Sequence, residues 1–359
     1  MRLAIKTFGE VLDTIHSRLR RVPPRYLPIL IAFVTYRCNL RCSFCGLCEL
    51  RENTDKSELT TEEWKMVYDS AERLGTLITS ISGGEPLLRK DLESIIEYAT
   101  KKNISVHLCT NGTLIDKNRA KILEEAGTKT ISFSLDSDVE EIHDSIRGKG
   151  QFKKTLDGIE NIRVYSPKIR ISINAVLCKK NFKDIHKLVR FAKKLGAVQI
   201  KFAPIHTNLL HKYKEKDKWD EFCFSEEDLE ELHKEVKKIY IECKKAKMLT
   251  TSSTFYEGIV KNFVHKNKFS CYAGFLDCII TPDGRVGVCC DIETNMSVKN
   301  KSLVDIWRSN EFHQYRVMAC TCTKYCWDTT NTEFSLRLHP KTMLSEIPTM
   351  MREFLFYLR

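Results

Sequence analysis

Four cysteines, Cys38, Cys42, Cys45 and Cys48, stand within eleven positions of the stretch TYRCNLRCSFCGLCEL. Thiols so close together suit one of three uses: a disulfide knot, a structural zinc, or an iron–sulfur cluster that does chemistry. The spacing C-x3-C-x2-C lets three thiolates ligate three irons of a four-iron cube and leave the fourth open, whereas a structural site closes all its positions. Cys48 keeps zinc in play as a fourth ligand, although the run lacks the paired-knuckle spacing of common zinc sites. A second group lies between 271 and 326: Cys271, Cys278, Cys289, Cys290, Cys320, Cys322 and Cys326. Pro282, Asp283 and Gly284 between two apolar runs predict a hairpin. It sets Cys271 before the turn and Cys289 after it, beside CTCTKYCW, a cage fit for a metal. Cys278 falls inside an apolar strand and Cys290 points away from Cys289 by strand alternation, so both read as packed thiols. Cys109, Cys178, Cys223 and Cys243 read as core or surface thiols.

The elements that must position these groups follow from periodicity. Short β-like runs at 29–34, 77–82, 104–110, 130–135, 169–177 and 198–203 alternate with amphipathic helical stretches. Thr60 caps the first such helix, which carries Trp64, Val67, Ala71 and Leu74 on one face and stops at Gly75. Six βα units predict an open or closed α/β barrel whose chemistry lies at the C-terminal ends of its strands. Cys38, Cys42 and Cys45 fall immediately after the first strand. A charged segment, 211–221, breaks the rhythm, a long helix capped by Ser225 follows, and a cysteine-rich module of about 75 residues begins near 255. The expected organisation is an N-terminal helix (1–28), a barrel core (29–224), a linker helix (225–254), the module (255–330) and a tail (331–359).

The chain of 359 residues, 42% of them apolar, suffices for one large domain and a smaller one. Its first 28 residues lack a secretory h-region, and the apolar run 29–34 is too short to span a bilayer. A cytoplasmic location, where thiols stay reduced, therefore fits the 15 cysteines as metal ligands. The net charge of +11 is spread along the chain without the clustering of a nucleic-acid footprint.

CNLRCSFC, with Phe44 before the last cysteine, resembles the cluster loop of the radical S-adenosylmethionine (radical SAM) enzymes. SGGEPLL after the second strand, with Gly83, Gly84, Glu85 and Pro86, matches that family's GGEP stretch, which receives the cofactor's methionine amino group. Physically, two glycines allow close backbone approach to a ligand, and a carboxylate suits an ammonium. Asn111 and Gly112 after strand three, Ser134 and Asp136 at the end of strand four, and Asn174 on strand five resemble family positions around the cofactor. The stretch HDSIRGKGQF, with His143, Asp144, Arg147 and Gly148, resembles peptide- and cofactor-modifying branches. Arg147 would face the cofactor carboxylate, or pair with Asp144 at the surface. The cysteine-rich module is similar to SPASM/twitch extensions, which bind auxiliary [4Fe–4S] clusters. Cysteine count favours the one-cluster twitch form, with Cys271, Cys289, Cys322 and Cys326 as ligands and Cys320 as the substitute; zinc stays open there too.

The resemblance implies an α/β fold, a partial (β/α)6 TIM-like barrel followed by a small α+β SPASM/twitch domain. It implies reductive cleavage of S-adenosylmethionine at a [4Fe–4S] cluster to a 5′-deoxyadenosyl radical, which abstracts hydrogen from a substrate. A flavodoxin or ferredoxin would supply the electron. The expected substrate is a small polyol, sugar or lipid. The alternative is maturation of a ribosomal peptide by thioether or carbon–carbon crosslinks; the 28 residues before the first strand are too few for a leader-recognition domain. A non-catalytic electron-transfer protein would leave GGEP without purpose. No catalytic acid, base or radical residue is legible. Residues 2–21 place Ile5, Phe8, Val11, Leu12, Ile15 and Leu19 at helical spacing beside arginines. Such a helix either lies in an anionic membrane interface, with MREFLFYLR as a second contact, or caps the barrel.

Overall fold

A computed structural model of the chain describes residues 2–46, 57–206, 220–265, 269–323 and 326–358. Cys48 and most of the charged segment 211–221 lie outside the described residues. The six expected strands are present as β1 (Ile29–Phe33), β2 (Ile78–Ser82), β3 (Ser105–Thr110), β4 (Thr130–Ser134), β5 (Arg170–Leu177) and β6 (Gln199–Pro204). Each pairs in parallel with its sequence neighbour. Helices return the chain between them: α2 (Thr61–Arg73), α3 (Leu92–Lys101), α4 (Lys117–Glu125), α6 (Gln151–Tyr165) and α7 (Lys187–Lys194). They follow α1 (Arg2–Arg20), and α5 (Glu140–Arg147), which the sequence reading did not include, is an extra short helix after β4. Thr60 caps α2 as expected: Glu63 N–H donates to Thr60 Oγ1 at 3.2 Å while Glu63 Oε2 accepts from Thr60 N–H at 2.7 Å.

The cysteine-rich segment does not stand apart from the barrel. Its first strand, β7 (Asp277–Ile280), pairs in parallel with β1, and β8 (Val286–Gly287) returns antiparallel through the Pro282–Gly284 turn. Among the described residues this makes one eight-stranded sheet of order β6-β5-β4-β3-β2-β1-β7-β8. One face of the sheet is apolar and covered: Leu30, Ala32, Ile81, Val106, Leu108, Phe133, Ile173 and Phe202 are fully buried. Strand alternation puts Ser80, Cys109, Ser132, Ser134, Ser172 and Asn174 on the other face, polar from β2 to β5 and apolar at Ile29, Ile31 and Phe33 of β1. A polar inner face is a wall for a polar ligand rather than a core.

The chain's end closes the barrel at the N-terminal ends of these strands. After α8 (Leu229–Lys245), α9 (Ser253–His265), α10 (Leu303–Arg308) and α11 (Asn310–Cys320) come α12 (Asn331–Arg337) and α13 (Pro340–Leu358). On α13, Glu353 takes Lys201 of β6 at 2.9 Å, accepts from Gln199 Nε2 at 2.9 Å, and pairs with Arg337 of α12. Tyr357 stacks edge-on against His107, and its carbonyl accepts from Ser105 Oγ. The expected tail is thus a buried plug. At the other end of the chain, Val11 and Ile15 of α1 pack on Tyr272, Leu276 and Leu338, while Arg18 Nε donates to Cys271 O at 2.6 Å. Both ends therefore cap the barrel; no described helix is long and apolar enough to cross a membrane.

Burial opposes the charge of Glu353, but Lys201 and Arg337 outweigh it and draw the carboxyl from 4.5 down to about 2. A folded-state value below the unfolded one gives stability that is present above about pH 4.5 and is lost as pH falls toward 2. Glu353→Gln leaves buried Lys201 without a carboxylate and Arg337 with Glu333 alone, so we expect a loss of about 3 kcal/mol in urea unfolding, with a weaker acid dependence than wild type. An unchanged urea midpoint would refute the plug's role.

Candidate cluster and cofactor site

Cys38, Cys42 and Cys45 lie on the loop that leaves the C-terminal end of β1, all partly exposed. The loop is built from both sides. Cys45 N–H donates to Cys42 O at 3.0 Å, and Ser43 N–H donates to Ile146 O, the last turn of α5, at 2.9 Å. The β2 loop clamps the segment before Cys38: Gly84 N–H donates to Thr35 O and Glu85 N–H to Arg37 O, each at 2.7 Å. Gly83 sits at φ 143°, and a Cβ there would meet Thr35 O at 2.5 Å. A Cβ on Gly84 would meet Arg37 O at 2.2 Å. The close approach that requires these glycines is therefore to the cluster loop's own backbone.

Glu85 is also spoken for. Its buried carboxylate accepts from Thr110 Oγ1 at 2.7 Å, Asn111 N–H at 2.8 Å and Leu87 N–H at 3.1 Å, tying the β2 loop to the end of β3. Burial pushes its pKa up, against the pull of those donors. The Glu85 carboxylate is thus engaged within the protein, and Pro86 opens a buried 3-10 turn behind it. Asn111 likewise holds the wall: its Nδ2 donates to Asn39 Oδ1 at 2.9 Å, between two of the cysteines. Asn39 escaped the sequence reading, though a polar residue inside a cysteine loop is a signal for such a tie.

Asp136 and Arg147 form a buried pair, which takes the place of the expected surface pair of Arg147 with Asp144. Arg147 Nε donates to Asp136 Oδ2 at 2.6 Å and Nη2 to Oδ1 at 3.2 Å, while Val176 N–H donates to the same carboxylate at 2.9 Å. Asp144 instead accepts from Phe152 N–H at 2.8 Å. Burial opposes the Arg147 charge, but Asp136 and the thiols of Cys42 and Cys45 hold its pKa above the usual value. Its remaining Nη1 lies 3.9 Å from Cys42 Sγ, and its guanidinium lies 5.7 Å from the Phe44 ring centre. A fixed cation beside a sulfur favours the thiolate that a metal needs. Phe44 itself packs edge-on against Phe222. Ser134 and Asn174 are partners in register on β4 and β5, and Asn174 Oδ1 is buried with no hydrogen-bond partner, a polar atom aimed at the inner wall without a protein donor.

In the second group, the structure brings Cys271, Cys289 and Cys326 within electrostatic reach of one another. Burial pushes all three thiols up, Cys289 to about 12, so a metal must displace their protons on binding. Cys320 has Arg18 and Arg21 as its charged neighbours, and Cys322 is exposed. Cys278 is fully buried, as expected. Cys290 is largely screened from solvent, and its thiol lies 3.8 Å from His206 Nε2; β8 is two residues long, so alternation does not reach position 290.

Comparison with known proteins completes the picture. A family model described as the radical SAM superfamily matches residues 33–192, and one described as an iron–sulfur cluster-binding domain matches residues 271–328. An AdoMet-dependent heme synthase of Methanosarcina barkeri is 39% identical over 173 residues, 48% of this chain and 49% of that protein. The chain thus spans about half the length of this relative. PqqA peptide cyclase of Rhizobium meliloti is 30% identical over 313 residues, 82% of this chain and 78% of that protein. The chain belongs to the radical SAM superfamily. The solved structure of Streptococcus suis SuiB bound to precursor peptide SuiA has the same fold, with a TM-score of 0.64, 18% identity and coverage of 84% of this chain and 69% of that one.

A radical SAM protein with this domain uses a [4Fe–4S] cluster, S-adenosylmethionine and auxiliary iron–sulfur. The residues fit those groups: three partly exposed thiols beside a buried cation, an unpartnered Asn174 oxygen on the inner face, and three further thiols close to one another. For the second site we expect Cys271→Ala to remove the auxiliary iron yet leave part of the S-adenosylmethionine cleavage, read as 5′-deoxyadenosine. Complete loss of cleavage with the first cluster spectroscopically intact would contradict this division.

Proposed function

We propose that this radical SAM chain matures a ribosomally synthesised peptide, forming a thioether or carbon–carbon crosslink. The observation that carries the reading is the alignment with a peptide cyclase across both the barrel and the auxiliary module. It moves the preference away from a small polyol, sugar or lipid; the lipid version drew on an N-terminal helix whose Val11 and Ile15 pack against the protein. In this reading Cys38, Cys42 and Cys45 hold the first cluster, with Arg147, fixed by Asp136, beside them. The loop of Gly83 to Pro86 shapes the cofactor's amino pocket with its backbone, and Ser134 and Asn174 offer polar contacts. Cys271, Cys289 and Cys326 hold the auxiliary cluster. When bound, the cluster and S-adenosylmethionine supply hydrogen abstraction; the barrel wall excludes water and aims it. A one-electron donor of the flavodoxin or ferredoxin class completes the set.

A second reading is modification of an iron porphyrin, supported by the 39% identity to a heme synthase. Anaerobic incubation with precursor peptides encoded beside the gene, and separately with iron coproporphyrin, decides between them. The expected result is peptide-dependent 5′-deoxyadenosine and a product lacking two hydrogens. Turnover of the porphyrin with no response to any peptide would overturn the peptide reading.

A further inference from the structure

The eight-stranded sheet ends in β6 on one side and β8 on the other, and the side chains that follow these two edge strands meet. His206, two residues beyond β6, places Nε2 3.3 Å from Asp291 Oδ2 and 3.8 Å from Cys290 Sγ. All three ligand atoms lie within 4.8 Å of one another. The groups are a soft sulfur, an imidazole nitrogen and a carboxylate oxygen, each partly screened from solvent: the side chain of His206 is 18% exposed and that of Asp291 7%.

A tetrahedral ion with bonds of about 2.0–2.3 Å holds its ligand atoms about 3.3–3.6 Å apart. The two measured separations are close to that already. We propose that His206, Cys290 and Asp291, beside the thiols of Cys289 and Cys326 but distinct from them, bind one zinc-class divalent cation, and that this ion fastens the segment after β6 to the segment after β8. Three protein ligands leave one tetrahedral position for water or a donor atom of the substrate. The other group of similar size, Asp184, His186 and Glu235, is already neutralised, with Lys187 on Asp184 and Lys238 on Glu235. The inference does not depend on the substrate, so it stands or falls apart from the peptide reading.

The test uses holoenzyme with both clusters reconstituted, dialysed anaerobically against zinc and then analysed for zinc, iron and sulfide. The wild type is expected to hold about one zinc per chain without loss of iron or sulfide. His206→Ala and Asp291→Ala should each weaken zinc binding at least tenfold with iron and sulfide unchanged. Zinc retained equally by both variants, or absent from the wild type, would overturn the site. Loss of iron together with zinc would overturn it too, by assigning these residues to the auxiliary cluster. Because a variant can fail to fold, X-ray absorption at the zinc edge of the wild-type holoenzyme is the independent measurement. One sulfur with nitrogen and oxygen neighbours is expected; an all-sulfur shell would reject the proposal.

Discussion

Replacing Cys38, Cys42 and Cys45 together by alanine is expected to abolish reductive cleavage of S-adenosylmethionine and to remove about half of the iron from a protein that otherwise holds about eight irons in two four-iron clusters. The loop itself should survive, because its fixings are backbone ones: Ser43 to Ile146, Gly84 to Thr35 and Glu85 to Arg37. The variant therefore separates ligation from folding. Iron and labile-sulfide analysis, with chromatography of 5′-deoxyadenosine, checks it. A variant that keeps its full iron, or a wild type that carries stoichiometric zinc and no labile sulfide, would undo the cluster assignments.

Gly84→Ala should be nearly as severe, for a different reason. The new Cβ would meet Arg37 O at 2.2 Å, Arg37 C at 2.6 Å and Tyr36 O at 2.8 Å, all backbone atoms that cannot swing aside. Either the β2 loop lifts off, breaking two 2.7 Å hydrogen bonds, or the segment leading into Cys38 shifts. Overpacking of this kind costs about 1–3 kcal/mol, and here the displaced atoms are those that aim the cysteines. We expect a lower urea midpoint and reduced iron at the first site, with the auxiliary iron retained. Alanine tolerated at 84 with wild-type iron would show that the clamp does not position the loop.

Strand positions were legible because each barrel strand buries one face completely, as Val106 and Leu108 do, so that periodicity and composition agree. The cysteine loop was legible because its spacing is local. Partner choice between elements was not, since it is decided by packing at long range. Nothing around Asp136 says that its carboxylate turns to Arg147 and Val176 N–H rather than to a ligand. The GGEP glycines were noticed for the right property, close approach, but the sequence does not say to what. His206 was passed over because the strand reading stopped at 203, and Cys290 because alternation was extended past a two-residue strand.

The pairing of β7 with β1 has a consequence for how the chain folds. Tyr36, just past β1, donates to Asp283 Oδ1 at 2.9 Å across 247 residues of sequence. While the polypeptide is being made, β1 gains β2 early but waits for almost the whole chain before its other side is covered. Through that interval the strand carrying the cluster loop is a bare edge, the kind of surface on which nascent chains associate. High contact order of this sort slows the final step. Fragments cut before residue 277 would keep that edge permanently, so the barrel is best produced with its auxiliary hairpin attached.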